Sequence, residues 1–254
     1  MPTITVGDLD IHYDTAGHGE PLVCLHGNWG SARWFEPLLA RLPTGLHAHV
    51  PELRGRGRTR GPAGDVTIPA LARDLLAFLD AMQWPSAHLV GHSLGAGVVL
   101  QLALDAPRRV RSLLCLAPPW IDGMPRVPGV AERQRQLAAD RAGLAAAMRF
   151  LFARPPDPAT FERLVDDAFT QRLEATVATV AALEDWRPGR SLSAISAPRH
   201  VVVGDRDILV TPQHAAQAAE ALGCGLTVLP GIGHALLPEA PQAIADALAT
   251  LLAA

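Results

Sequence analysis

Lysine is missing from this chain, and all 22 of its basic residues are arginine. That excludes a lysine Schiff base and any phosphate loop that depends on Lys. A GC-rich genome is the simplest origin of the bias. Cysteine is scarce, with only Cys24, Cys115 and Cys224. An odd, widely spaced set suggests neither a disulfide framework nor a zinc knuckle. Cys24 and Cys115 sit in apolar, strand-like runs and read as small buried hydrophobes. No apolar stretch approaches the roughly 20 residues needed to span a bilayer. The opening MPTITVGDLDIHYDTAG has no basic segment followed by an apolar one, so a soluble cytoplasmic protein is expected, with no membrane partner. Charge of one sign is also lacking: 22 basic residues face 25 acidic ones, for a net charge of −3. No strong field favours nucleic acid or an anionic surface. The His-x-His at His47 lacks companion ligands at metal spacing, so neither metal nor cofactor is expected. Repeats and low-complexity linkers are absent too.

What is present is a large apolar fraction, 49% of 254 residues, enough for one sizeable core. Ile4 to Thr15 alternates apolar and polar residues around Gly7-Asp8 and reads as a hairpin with one face exposed. LVCLHG (Leu22–Gly27) is a short continuous apolar run, as for a strand covered on both faces. Strands and helices then alternate. His47–Val50, His88–Val90, Val110–Leu116, His200–Gly204 and Leu226–Leu229 are strand candidates. Ile68, Leu71, Ala72, Leu75 and Leu79 share a helix face, and a small-residue helix runs from Leu94 to about Asp105. Thr211-Pro212 opens another helix, Thr as cap and Pro in the first turn. Ile244, Leu248 and Leu251 mark the last. Such alternation implies a parallel sheet with helices on both faces.

Residues 118–196 break the pattern. They carry no convincing strand but several helical spacings: Leu144, Met148, Leu151 and Phe152; Phe161, Leu164, Val165 and Phe169; Leu173, Val177 and Val180. We read residues 1–117 and 197–254 as the core and 118–196 as a helical lid inserted between two strands.

The strongest local signal is Gly91-His92-Ser93-Leu94-Gly95, between a strand and a helix rich in small residues. A G-x-S-x-G pentapeptide in that setting is a nucleophile elbow. The serine sits on a tight turn that only glycine neighbours tolerate, at a helix N-terminus whose free N–H groups can hold an oxyanion. A serine needs a base. His234, in Pro230-Gly231-Ile232-Gly233-His234 just past a strand, is the candidate. The imidazole needs a carboxylate, and Gly204-Asp205-Arg206-Asp207 follows another strand; on chemistry alone either aspartate serves. The Leu94 N–H is one expected oxyanion donor. The second should come from His26-Gly27-Asn28-Trp29-Gly30, where Gly27 allows close backbone approach.

LVCLHGNWGSARWFEPL, ELRGRGRT, HLVGHSLGAG, VVVGDRDILVTP and LPGIGHALLPEAP together resemble the lid-bearing, esterase-like branch of the α/β-hydrolase superfamily over nearly the whole chain. The resemblance implies a mostly parallel, eight-stranded α/β sheet flanked by helices, with a helical lid after the sixth strand. It selects Asp207 over Asp205, makes His234 the base, and assigns the second oxyanion N–H to Asn28. Epoxide hydrolases and haloalkane dehalogenases are similar but carry aspartate at the elbow, and Ser93 argues against both. Glu52 and Arg56 stand where the family usually has Asp and His; both changes fall in a supporting turn.

The expected reaction is hydrolysis of a small, partly hydrophobic ester through an acyl-enzyme. Trp29, Trp120 and Met124 are the expected pocket residues, and most lid phenylalanines (Phe150, Phe152, Phe161 and Phe169) are assigned to lid core. Arg126, Arg133 and Arg135 are candidates for meeting an anionic substrate. Alternatives are a C–C bond or enol-lactone hydrolase, a cofactor-free perhydrolase or haloperoxidase, and a ligand-binding receptor on the same fold. The sequence leaves the oligomeric state open.

Overall fold

The computed structural model describes residues 2–253. Strands β1 (Thr3–Val6) and β2 (Leu9–Gly17) form the hairpin, with Gly7 at the turn in the left-handed region at φ 57°. The remaining strands are β3 (Glu20–Leu25), β4 (Leu46–Pro51), β5 (Ala87–His92), β6 (Val110–Leu116), β7 (Arg199–Gly204) and β8 (Gly225–Leu229). They make one eight-stranded sheet in the order β1-β2-β4-β3-β5-β6-β7-β8. Only the β1–β2 and β2–β4 pairings are antiparallel. From β4 through β8 every neighbour is parallel. All six residues of β5 are buried, as expected for a strand covered on both faces. The winding changes direction between β3 and β5. Loops leaving the carboxyl ends of those two strands therefore diverge and open a crevice.

In the first half the helices are α1 (Glu36–Leu39), α2 (Ile68–Ala81) and α3 (Leu94–Asp105). The Thr67 hydroxyl accepts from the Ala70 N–H to cap α2, which buries Leu71, Leu75, Phe78 and Leu79 on one face. Helix α3 is apolar nearly all round and buried along most of its length. Between β6 and β7 run α4 (Val130–Ala139), α5 (Arg141–Arg149), α6 (Pro158–Phe169) and α7 (Leu173–Asp185), with no strand among the described residues there. After β7 come α8 (Pro212–Leu222), α9 (Leu236–Glu239) and α10 (Pro241–Leu252). Thr211 caps α8 through the His214 N–H, and Gly223 ends it in a left-handed turn.

Two helices of the 118–196 segment depart from the apolar spacing. Helix α4 has no buried residue and too few apolar side chains to mark a face. Helix α7 only partly follows the expected face: Val180 is buried and Val177 half-buried, but Leu173 is 41% exposed, whereas Thr176 and Thr179 are fully buried. The cause is what α7 packs against. A Cβ on Gly55 would overlap the Ala175 methyl, so the helix is seated on the backbone after β4 through small residues and hydroxyls. Phe152 and Phe161 are core, but Phe150 is 71% exposed, one residue past the end of α5.

Candidate active site

Ser93 lies between β5 and α3 with φ 53° and ψ −118°, a conformation that non-glycine residues avoid at a cost of about 1–3 kcal/mol. Its N–H is pinned to the Leu116 carbonyl at the end of β6, 2.9 Å away. The glycines on either side are required by contact. A Cβ on Gly91 would lie 2.5 Å from Ala96 Cα, and one on Gly95 would overlap the Leu25 carbonyl oxygen. The turn lifts Ser93 to partial exposure while His92 and Leu94 stay buried.

Asp207 and His234 form a buried couple. Asp207 Oδ2 accepts from His234 Nδ1 at 2.7 Å, and the two side chains are 0% and 5% exposed. The other carboxylate oxygen, Oδ1, accepts from the N–H groups of Leu209 (2.8 Å) and Val210 (2.9 Å). With both oxygens engaged, the carboxylate is fixed in ring plane and angle, and Nδ1 carries the proton. That leaves Nε2 as the acceptor. Asp205 serves the backbone instead. Its Oδ1 accepts from the Gly231 N–H at 2.7 Å and ties the loops after β7 and β8 together. The Ser93 hydroxyl has no hydrogen-bond partner among the described residues, so contact with His234 Nε2 is not closed here. Such contacts often tighten only when substrate binds.

The His234 loop is braced from several sides. Gly204 leaves no room for a Cβ beside the Ile232 carbonyl. The Arg206 N–H donates to Ile232 O at 2.9 Å, and Ala235 N–H to Leu151 O at 2.9 Å. His92 Nε2 donates to the His234 carbonyl at 2.9 Å, and its ring centroid is 4.9 Å from that of His234. Burial, with His234 alongside, pushes the His92 imidazole down to about 3, so it is neutral at ordinary pH.

The N–H groups of Leu94 and Asn28 are both without an internal partner among the described residues. The loop carrying Asn28 is held by residues that the motifs contain but to which the sequence assigned no bracing role. His26 is fully buried; its Nε2 accepts from the Leu53 N–H at 3.1 Å and its Nδ1 donates to the Gly27 carbonyl at 2.8 Å. Desolvation lowers the His26 imidazole to about 4. Glu52, 2% exposed, accepts from the Ala32 N–H and pairs with Arg58 at 3.1 Å. Their signals in the sequence were position, His26 directly after β3 and Glu52 directly after β4, and, for Glu52, its place in the supporting turn.

The 118–196 helices also grip this loop. Trp29, at a positive φ of 59°, donates its indole N–H to Gln134 of α4 at 2.7 Å. The Ser31 hydroxyl donates to Asp167 of α6 at 2.7 Å, and Gln171 Nε2 donates to the Gly30 carbonyl at 2.7 Å.

Of the expected pocket residues, Trp29 adjoins Asn28. Trp120 packs edge-on against His214 of α8 with centroids 5.7 Å apart, its indole nitrogen buried without a partner among the described residues. Met124 is tied by its backbone N–H to Leu183 O near the end of α7 at 2.9 Å. Neither hydrogen-bonds to or stacks on Ser93 or His234. Arg126 is paired with Asp185 and Arg135 with Glu132. A groove of about 660 Å³ between α2, α3 and α7 is lined by Ile68, Gln101, Ala181 and Trp186 among others, and by none of the candidate catalytic residues. Among the described residues no group of His, Cys, Asp or Glu is arranged to hold a metal ion, and no helix is long and apolar enough to cross a membrane.

Comparison with known proteins agrees with the fold. Residues 22–247 match the model of the alpha/beta hydrolase family. The chain is 34% identical over 244 residues to the provisionally named carbamate hydrolase RutD of Variovorax paradoxus (strain S110), covering 89% of this chain and 90% of that one. A same-named protein of Azorhizobium caulinodans is 33% identical over 133 residues, 52% of this chain and 48% of its own length. The pimeloyl-[acyl-carrier protein] methyl ester esterase of Xanthomonas campestris pv. campestris is 28% identical across 96% of this chain and 99% of its own. Among solved structures, Est816, described as an N-acyl homoserine lactone degrading enzyme, superposes with a TM-score of 0.82 at 26% identity, covering 98% of this chain and 99% of that one. The chain belongs to the alpha/beta hydrolase family.

Proposed function

We propose that this hydrolase cleaves carboxylic ester bonds of small, partly hydrophobic substrates through an acyl-enzyme, with Ser93 as nucleophile, His234 as base and Asp207 as its orienting carboxylate. The observation that carries the reading is the buried 2.7 Å Asp207–His234 pair, on the same sheet edge as a serine in a strained elbow. His234 Nε2 takes the hydroxyl proton as Ser93 Oγ bonds to the ester carbonyl carbon. The carbonyl electron pair moves onto oxygen, where the N–H groups of Leu94 and Asn28 receive it. Collapse breaks the bond to the alcohol, which leaves with the proton from His234. Water, deprotonated by the same Nε2, then attacks the acyl carbon and releases the acid and Ser93.

Residues 118–196 act as a cap in this reading, with Trp29 and Trp120 as pocket walls and Met124 further out. Lactone opening is a second reading, favoured by the 26% identity to a lactone-degrading enzyme over nearly the whole chain. It uses the same steps, except that the leaving alcohol stays tethered to the acyl group.

The test is to react the protein with a fluorophosphonate, map the adduct, and follow p-nitrophenol release from short and medium acyl esters beside Ser93→Ala. Labelling at Ser93 with turnover, and a loss of about 10⁴- to 10⁶-fold in kcat in the variant, is expected. Unchanged turnover in Ser93→Ala would sink the assignment.

A further inference from the structure

We propose that Arg56 is a positioning residue for the oxyanion loop: anchored to α7 through Thr179, its guanidinium holds the Asn28 side chain and so sets the Asn28 N–H that receives the oxyanion. The inference rests on the serine-hydrolase reading above. Arg56 is 1% exposed and among the largest fully buried side chains of the protein. Its Nη2 donates to Asn28 Oδ1 at 2.9 Å and also to Thr179 Oγ1. Its Nη1 donates to the Arg54 carbonyl at 3.2 Å, and its Nε–H is buried with no partner among the described residues. No carboxylate lies within salt-bridge distance among the described residues. Glu52, the buried acid of the same segment, spends its oxygens on Arg58 and on the N–H groups of Ala32 and Arg58.

A buried cation served only by neutral oxygens is expensive, several kcal/mol relative to water. A plain packing role at this position is met better by an apolar side chain. What a guanidinium adds is a rigid, always-charged fork of donors that can hold Asn28 Oδ1 and Thr179 Oγ1 at once, which an apolar side chain cannot do. The geometry is also directional. The Thr179 hydroxyl donates to the Ala175 carbonyl at 2.8 Å, leaving its lone pairs to accept from Arg56. Ala175, one turn earlier on α7, is the residue that packs on Gly55, so the close approach of helix and backbone delivers Thr179 to the guanidinium. The Arg172 N–H donates to the Gly55 carbonyl at 3.0 Å and fixes the register of that approach.

The test compares Arg56→Gln, Thr179→Val and Thr179→Ser in the wild-type and Asn28→Ala backgrounds. Active sites are titrated with fluorophosphonate so that kcat refers to competent protein. Affinity for a trifluoromethyl ketone, which forms a tetrahedral oxyanion on the serine, is measured alongside. Arg56→Gln is expected to lower titrated kcat about 10- to 100-fold, part of the loss for a whole oxyanion donor. KM should move less than about threefold, and ketone affinity should fall in step with kcat. Thr179→Val should lose in the same direction, and Thr179→Ser should recover most of it. In Asn28→Ala the further cost of Arg56→Gln should shrink below about threefold, because both act through one link. Titrated kcat and ketone affinity within about twofold of wild type, or an undiminished loss in the Asn28→Ala background, would overturn the proposal. If Arg56→Gln does not fold, the Thr179 pair decides by the same criteria. Failure of the serine-hydrolase reading looks different: the unaltered protein itself would neither label at Ser93 nor turn over ester, and this inference would fall with it.

Discussion

Replacing Asp207 by Asn tests the carboxylate assignment with almost no change in shape. Asp207 Oδ1 receives two backbone N–H groups, from Leu209 and Val210, and Oδ2 receives His234 Nδ1. An asparagine has one oxygen to offer. The two backbone donors have no other partner, so the amide oxygen stays with them and the NH₂ turns toward His234. An NH₂ only donates, so Nδ1 must become the acceptor and the imidazole proton moves to Nε2. That is the nitrogen that, in the proposed reaction, takes the Ser93 proton. Holding the wrong tautomer costs about 10⁴-fold in kcat in this kind of triad, or roughly 5 kcal/mol of transition-state stabilisation at 1.36 kcal/mol per decade. The fold should hardly notice, because the Leu209 and Val210 bonds survive. Asp207→Ala, in contrast, leaves two buried donors unmet at about 1–3 kcal/mol each. Asp205→Asn is the internal control: the amide oxygen still accepts from the Gly231 N–H, and kcat should stay within about twofold. The assay is p-nitrophenyl ester turnover normalised to fluorophosphonate-titrated sites, with thermal melting alongside. An Asp207→Asn protein with unchanged melting and kcat within tenfold of wild type would refute the reasoning, as would an equal loss in Asp205→Asn.

Two further outcomes follow from burial. His26 and His92 are lowered to about 4 and about 3, below the free imidazole value, so the unfolded chain binds more protons than the native one at mildly acid pH. Their contribution is therefore fully present above about pH 6.5 and is lost as pH falls toward those lowered values. Linkage sets the loss at on the order of 3 kcal/mol for the pair between pH 6.5 and 5, to be read from urea midpoints at the two pH values; an unchanged midpoint would contradict it. Burial also raises the thiols of Cys24 and Cys115 far above their ordinary range, whereas Cys224 is only partly covered. A disulfide thiol reagent should titrate Cys224 alone in the native protein and all three thiols in denaturant; rapid native labelling of Cys24 would show that β3 is less closed than described.

The sheet was legible because its strands are apolar runs bounded by glycine and loop residues, and local composition settles such runs. The hairpin at Gly7, the continuous burial of Leu22–Leu25 and the capped start of α8 at Thr211 all follow from neighbours in the chain. The residues brought together at the sheet edge were legible for a related reason: a serine between glycines, a histidine after a strand and an acid after another each carry a local signature. The choice between Asp205 and Asp207 did not, since both follow the same strand and differ only in which loop each faces. The braces are harder still. His26, Glu52 and Arg56 act through backbone groups and side chains far away in the chain, and no periodicity encodes that. Helix α7 makes the point most sharply. Its apolar spacing nominates Leu173, Val177 and Val180; Val180 is buried, but Leu173 is exposed and the helix buries Thr176 and Thr179 beside it. Choosing a buried face by apolar spacing assumes that the opposing surface is apolar. Here the opposing surface along the first half of the helix is a glycine backbone and a guanidinium, so small side chains and hydroxyls are buried there in place of Leu173. Where a helix buries threonine in preference to leucine, its partner is polar, and in this protein that partner reaches the loop where we place the second oxyanion donor.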